Sequence, residues 1–358
     1  MSINKKYISI LSVATAMLLS ACSSDNSEVQ TVPADAKPVG DNIQVMAYAP
    51  PFASADPTDP SNPTGFYAYK PDKTTSMGIY MLSSEGSPKE EKLIYTNKWH
   101  AYFEVEANTT YTVYGYMPKT GDMSSTLTKS AANATLIISN IKAITTEDIC
   151  IITGVNDKRE GLKEGNFNWK WPISTSTEEE SYKIHILMDH LYAAALFSMK
   201  IDAEYAELRT IKLKTMKLKT NTGSIDATIT LTHNDTGASP VSNVTYTASS
   251  SSDEGSSDEG SSDGIIIFNS DEGVPLDVTT PLEISACFAP DLSNNLTMVT
   301  TYDVYDRKNN LIRKNCTATN KLPNLEAVRA QQVQLNLTVN PTYLNVLSDY
   351  DLDNPTVK

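Results

Sequence analysis

Apolar and polar residues alternate with a period of two along much of the chain, the spacing at which one face of a β-strand is buried and the other is wetted. Ile43, Val45 and Ala47 alternate with Gln44, Met46 and Tyr48. Trp99, Ala101, Phe103 and Val105 share one face, and His100, Tyr102, Glu104 and Glu106 the other. Ile225, Ala227, Ile229 and Leu231 alternate with Asp226, Thr228, Thr230 and Thr232. Near the end Val333, Leu335, Leu337 and Val339 alternate with Gln334, Asn336, Thr338 and Asn340. Further strands are predicted over 78–83, 111–117, 134–138, 149–153, 282–288 and 297–306. The run 184–201 is the most apolar of the body and reads as buried strands with a turn at Asp189-His190. Ile211 and Leu213, then Met216 and Leu218, alternate with lysines, but the phase slips by one residue at Thr215. A β-bulge there returns all four to one face, the lysines read as guards of a sheet edge, and Gly223 suits a turn into the strand that begins at Ile225. The pattern predicts an all-β protein.

The segments between strands set the organisation. Pro50, Pro51, Pro57, Pro60 and Pro63 mark a loop that regular sheet cannot include, because proline has no N–H to give. Residues 156–180 are charged and loop-like, which places a domain boundary near Tyr182. Residues 249–264 repeat Ser-Ser-Asp-Glu-Gly, a composition that cannot build a core and whose spacing is not that of a calcium loop. At the start, Lys5 and Lys6 precede the apolar run 7–19, and small residues lead to Cys22. This is the layout of a secretory signal peptide, with a core shorter than the ~20 apolar residues that span a bilayer. Leu19-Ser20-Ala21-Cys22 resembles the lipobox of bacterial lipoproteins, in which the cysteine is acylated and becomes the mature N-terminus. Residues 23–41 are polar and carry Pro33, Pro38 and Gly40, so they read as a flexible stalk. About 20 such residues reach ~65–70 Å fully extended and ~25 Å on average. The expected division is therefore signal peptide 1–21, lipidated stalk 22–41, N-terminal domain 42–181 and C-terminal domain 182–358, the last with the acidic loop 249–264 and a tail 342–358.

Composition narrows the function. The 358 residues, 40% of them apolar, suffice for two cores. A formal charge of −14 argues against nucleic acid, which requires a surplus of lysine and arginine. Cys150, Cys287 and Cys316 remain in the body, and an odd count cannot all pair; buried thiols are expected. His185 and His190 are five apart, on opposite faces of a strand, and so do not share a metal. The chain has no HExxH or phosphate-binding loop. No catalytic, cofactor or metal residues are therefore expected, and the chain does not read as an enzyme. Phe167, Trp169 and Trp171 are the residue types of a sugar-stacking platform, though alternating aromatics near a strand end also fill cores.

Several stretches together resemble the fimbrillin family, the lipoprotein precursors of type V pili of Bacteroides-like bacteria. They are the lipobox at Cys22, DKTTSMGIYML over 72–82, YTVYGYMP over 111–118, HLYAAALFSMKI over 190–201 and the ending VNPTYLNVLSDYDLDNPTVK over 339–358. The resemblance implies two tandem transthyretin-like β-sandwich domains. It implies an outer-membrane, surface-exposed lipoprotein whose subunits join a pilus by strand exchange, in support of adhesion to host or bacterial surfaces. In the family a protease cuts after a basic residue beyond the first strand, and an extended segment of another subunit fills the groove left behind. Here the removable strand carries Ile43, Val45 and Ala47. The donor is Val333, Leu335, Leu337 and Val339 or, preferred, Tyr343, Leu344, Val346 and Leu347. The first arginine is Arg159, so the usual arginine cut is missing; Lys37 and Lys70 precede proline, which leaves Lys73 as the processing position. Two alternatives follow: an untrimmed base anchor of a pilus, or a stand-alone lipid-anchored protein that binds a glycan or host ligand on the same fold.

Overall fold

The structure is a computed structural model that describes residues 44–49, 52–54, 76–83, 90–95, 99–100, 109–170, 183–234, 237–249, 264–290, 296–322, 325 and 327–340. All belong to one compact unit, Lys37–Lys358. The first strands in chain order are β1 (Gln44–Tyr48), β2 (Ala53–Ser54), β3 (Ser76–Leu82), β4 (Glu90–Tyr95), β5 (Trp99–His100), β6 (Thr110–Met117) and β7 (Ser124–Lys129). Next come β8 (Asn133–Lys142), β9 (Ile144–Thr145), β10 (Cys150–Asn156), β11 (Asn168–Lys170), β12 (Lys183–His190), β13 (Ala193–Ile201) and β14 (Arg209–Lys219). The last are β15 (Ser224–Thr232), β16 (Val241–Ala248), β17 (Ile265–Pro275), β18 (Leu282–Phe288), β19 (Thr297–Asp306), β20 (Leu311–Lys321) and β21 (Gln331–Val339). Among the described residues a short α-helix, α1 (Ala203–Ala206), is capped by Asp202, whose carboxylate accepts the Tyr205 N–H at 2.9 Å. The protein is all-β, as the alternation predicts.

Four sheets make two sandwiches. An eight-stranded sheet runs β1-β12-β10-β6-β3-β4-β5, with β11 added to β6, and a four-stranded sheet runs β16-β15-β8-β7. Their facing side chains, among them Tyr114, Tyr116, Leu136, Ile138, Ile225 and Ile229, form one core. A five-stranded sheet (β2-β21-β13-β18-β9) faces a four-stranded one (β17-β14-β19-β20) over a second core that includes Phe197, Ile211, Met216 and Phe288. The eight-stranded sheet also buries its other face, with Ile79, Val113, Ile152, Trp169 and Ile186. Strands buried on both faces lose the alternation and read as continuous apolar runs, which explains the compositions of β3, β6 and β10.

The sheets do not separate near Tyr182. β12, beyond it, pairs with β10 and β1, and β15 pairs with β8. In the other direction β2 and β9 join the five-stranded sheet through β21 and β18. The bulge predicted at Thr215 is present as a register shift between Leu213 and Thr215 against both neighbours, and Ile211, Leu213, Met216 and Leu218 are all buried. Its lysines guard no edge, because β14 is an inner strand between β17 and β19. Instead Lys212 lies over the Tyr305 ring at 4.3 Å and Lys214 approaches Asp303 at 3.9 Å. Gly223 turns the chain from one sandwich into the other rather than between paired strands, since β14 and β15 lie in different sheets.

Candidate functional site

β1 is an edge strand. It lies parallel to β12 in the register Val45↔Ile184 and Ala47↔Ile186. Alternation puts Val45, only 5% exposed, into the apolar layer with Ile184, Ile186 and Met188, while Met46 on the opposite face is 40% exposed. Ala47 and Ala49 pack on the same layer. Tyr48 hydrogen-bonds His185 Nδ1 at 3.1 Å, and the Arg159 guanidinium lies 5.0 Å from the centre of its ring. The strand is thus held by its main-chain ladder, one buried valine and a ring contact. Of the removable-strand residues, Val45 and Ala47 sit where alternation places them; Ile43 lies outside the described residues.

The chain then crosses to the second sandwich. Phe52 is buried with its ring stacked on His190, centroids 3.7 Å apart. β2 runs parallel to β21, and Ala53 N–H donates to Ala330 O at 3.0 Å. Two consecutive strands, β1 and β2, therefore lie along the edges of two different sheets. β21 is the strand between β2 and β13, in parallel register with β13 from Gln332 to Val339. Its Val333, Leu335, Leu337 and Val339 are half-buried against the second core. Tyr343, Leu344, Val346 and Leu347 lie outside the described residues, as do Cys22 and Lys73.

A buried polar cluster sits where β10 begins and β12 ends. The register Cys150↔His190 sets these residues opposite each other, and Asp148 precedes β10. His190 Nδ1 lies 2.6 Å from Asp148 Oδ2; the Cys150 thiol donates to the same oxygen at 3.0 Å and lies 3.8 Å from Nδ1. Asp148 and Cys150 are 0% exposed and His190 is 1% exposed. Asp148 Oδ1 and His190 Nε2 are buried without a hydrogen-bond partner. Arg329 closes the turn, donating at 2.6 Å to both Asp189 Oδ2 and His190 O. Burial, and then the Asp148 charge, push the Cys150 thiol well up; burial does the same to Cys287. A thiol held protonated and shut off from solvent is a poor nucleophile. Sequence spacing set His190 against His185 and missed Asp148. The available signal was polar residues bordering apolar runs, at Asp148-Ile149-Cys150 and at His190.

The aromatic platform does not form. Trp169 is 1% exposed and packs beside Tyr111, whereas Phe167 packs on Tyr114 in the core on the opposite face; Trp171 lies outside the described residues. A cavity of about 290 Å³ opens beside Phe167, lined by Thr112, Lys129, Asn168 and His233 among others, none of them acidic. Lys129 Nζ donates to Thr112 Oγ1 at 2.9 Å. His233 is bonded at both nitrogens, to Tyr114 OH and to Ala131 O. With Nδ1–H donating to the carbonyl, Nε2 accepts from the tyrosine and the neutral ring is satisfied. The loop at Gly165 closes this side. Its φ is +81° and an added Cβ would lie 2.2 Å from Asn234 O, so glycine is required there.

No protein-family model matches the sequence, and no curated protein matches it. Among solved structures, a fimbrial protein from Bacteroides vulgatus is similar over 83% of this chain and 95% of its own, at 13% identity and a TM-score of 0.33. A fimbrial protein from Bacteroides ovatus is similar over 83% of this chain and 50% of its own, at 10% identity and a TM-score of 0.34. The fimbrial anchor protein Mfa2 from Porphyromonas gingivalis is similar over 82% of this chain and 90% of its own, at 10% identity and a TM-score of 0.26.

Proposed function

We propose that the chain is a structural subunit of a cell-surface pilus, exported as an outer-membrane lipoprotein acylated at Cys22, joined to other subunits by β-strand exchange and supporting adhesion. The observation that carries the reading is the pair of strands β1 and β2, which cover one edge of each sandwich. Their removal exposes the outer edge of β12 over five residues and frees the outer edge of β21 at Gln331 and Gln332. An incoming strand regains the same main-chain bonds, each worth ~1 kcal/mol net, and alternate apolar side chains set its register. Replacing Val45 restores a further ~1.5–3 kcal/mol of burial. Exchange is therefore close to neutral per residue, and a longer or more apolar donor wins. β21 is a costly donor, because it makes eight register pairs with β13. The tail carrying Tyr343, Leu344, Val346 and Leu347 is the preferred donor, because its apolar cluster lies beyond Pro341, which cannot continue β21. Lys73, between the covering segment and β3, is the processing position; a subunit left uncut is the base anchor of the pilus.

Intact mass and peptide mapping of the protein taken from the cell surface test this. A start near Thr74 marks a polymerising subunit, and a start at acylated Cys22 marks the anchor. A chain beginning at residue 74 that stays monomeric by light scattering, alone and with the tail peptide 340–358, removes the strand-exchange reading.

A second reading, a stand-alone lipoprotein that binds a glycan or host ligand, is favoured by the cavity beside Phe167, which has a lysine and no acid in its lining. Titration of the protein against a glycan panel, with Lys129→Ala as control, decides it. No saturable binding removes this reading.

A further inference from the structure

The cluster of Asp148, Cys150 and His190 is unexplained by strand exchange. Their ligand-type atoms all lie within 4.8 Å of one another. As a purely hydrogen-bonded group it is incomplete. Two donors converge on Asp148 Oδ2, while Asp148 Oδ1 and His190 Nε2, both fully buried, have no partner. Burying such groups without satisfying them is costly, and their surroundings are apolar: Cys150 lies in the layer of Met117, Ile152 and Met188, and Phe52 covers the His190 ring. The chemistry of the donors is more specific than their burial. A thiolate, an imidazole nitrogen and a carboxylate are the ligand set of zinc and related borderline-soft ions.

We infer that Asp148, Cys150 and His190 form a structural binding site for a divalent transition-metal ion of the zinc type. The donors are Cys150 Sγ, His190 Nδ1 and the Asp148 carboxylate, one ligand atom from each residue. The charges balance: one carboxylate and one thiolate offset a dication, with the imidazole neutral. Binding exchanges the ion for the thiol proton, which leaves to solvent, and the neutral imidazole carries its proton on Nε2 so that Nδ1 can ligate. A metal inverts the local acid–base logic, since a coordinated thiol is deprotonated outright. The geometry requires little movement. Donors on one tetrahedral zinc are ~3.3–3.6 Å apart, given metal–ligand lengths of ~2.0–2.3 Å. The thiol and Nδ1 are 3.8 Å apart, whereas Oδ2 must open by well under 1 Å from its present 2.6 Å and 3.0 Å contacts. The fold supplies the outer support. Cys150 and His190 are held opposite each other by strand register, Arg329 clamps the turn that carries His190, and Phe52 stacks on the imidazole. With no solvent path, the ion enters as the chain folds, and its binding energy counts as folding energy.

The test is to unfold the purified chain in denaturant with a chelator and refold it with Co²⁺ or Zn²⁺. The expected result is about one ion per chain after gel filtration, a thiolate-to-cobalt charge-transfer band, and a melting temperature raised by zinc relative to the metal-free protein. Cys150→Ser is expected to abolish the band, while Cys287→Ser and Cys316→Ser keep it. A refolded wild-type chain that retains no ion and melts at the same temperature with and without zinc overturns the inference, whatever the variants do. So does a band that survives in Cys150→Ser.

Discussion

Asp277 shows how much one exposed side chain can be made to hold. It follows β17, and its Oδ1 accepts from the N–H groups of Thr279 and Thr280 and from the Thr279 hydroxyl. These bonds, the Thr280 N–H first, lower its carboxyl to about 2. The folded form is thus more acidic than the unfolded one, so the stabilisation is complete above the ordinary aspartate range and is lost as pH falls through about 2. Comparing thermal unfolding of wild type and Asp277→Asn, the gap in melting temperature is expected to be constant from neutral pH down to pH ~5 and to shrink toward pH ~2. A gap independent of pH would show that the hydrogen bonds, and not the charge, set the turn. At this scale the sequence was only partly informative. Val45 and Ala47 occupy the faces that alternation assigned to them, but Asp148 and His190 are 42 residues apart and meet only through strand register. Trp169 illustrates the reverse: an aromatic close to another aromatic proved to be on the other side of the sheet from it.

Among the elements, β15 was the most legible. Its Ile225, Ala227, Ile229 and Leu231 all point into the first core, each 0–1% exposed. Ile229→Ala is expected to cost about 2–5 kcal/mol, read as a lowered urea midpoint with an unchanged slope. Thr228→Ala on the same strand's other face should fall within about ±0.5 kcal/mol. The pairing of β15 was not legible. A period of two tells which face is buried and says nothing about which strand lies alongside, and the turn at Gly223 joins two consecutive strands that lie in different sheets. β16, β17 and β20 gave no strand signal, because their burial alternates weakly and they form outer strands of the four-stranded sheets. Those open edges carry opposite charge: Asp271 and Glu272 on β17, and Arg313, Lys314 and Lys321 on β20. Charge on an edge opposes uncontrolled pairing with identical edges.

For the molecule as a whole, the chain order and the sandwiches are interleaved. The first sandwich draws β12, β15 and β16 from beyond residue 182, and the five-stranded sheet draws β2 and β9 from before it. Fragments 37–181 and 182–358, expressed separately, are therefore expected to lack the near-ultraviolet circular dichroism of packed aromatic side chains. Dispersed, native-like spectra from either fragment would show that each half completes its own core. The two covering strands at the N-terminal end share one further property: both run parallel to the strands they cover. Any strand that takes the place of β1 and keeps its side-chain register must enter in the same direction along β12. Copies linked in this way cannot be related by a two-fold axis, because the contact joins two unlike surfaces. The assembly would then have direction, with a donor exposed at one end and an empty acceptor at the other. Its length would be set by whatever blocks the acceptor, and a copy that keeps its own 44–54 segment is already blocked.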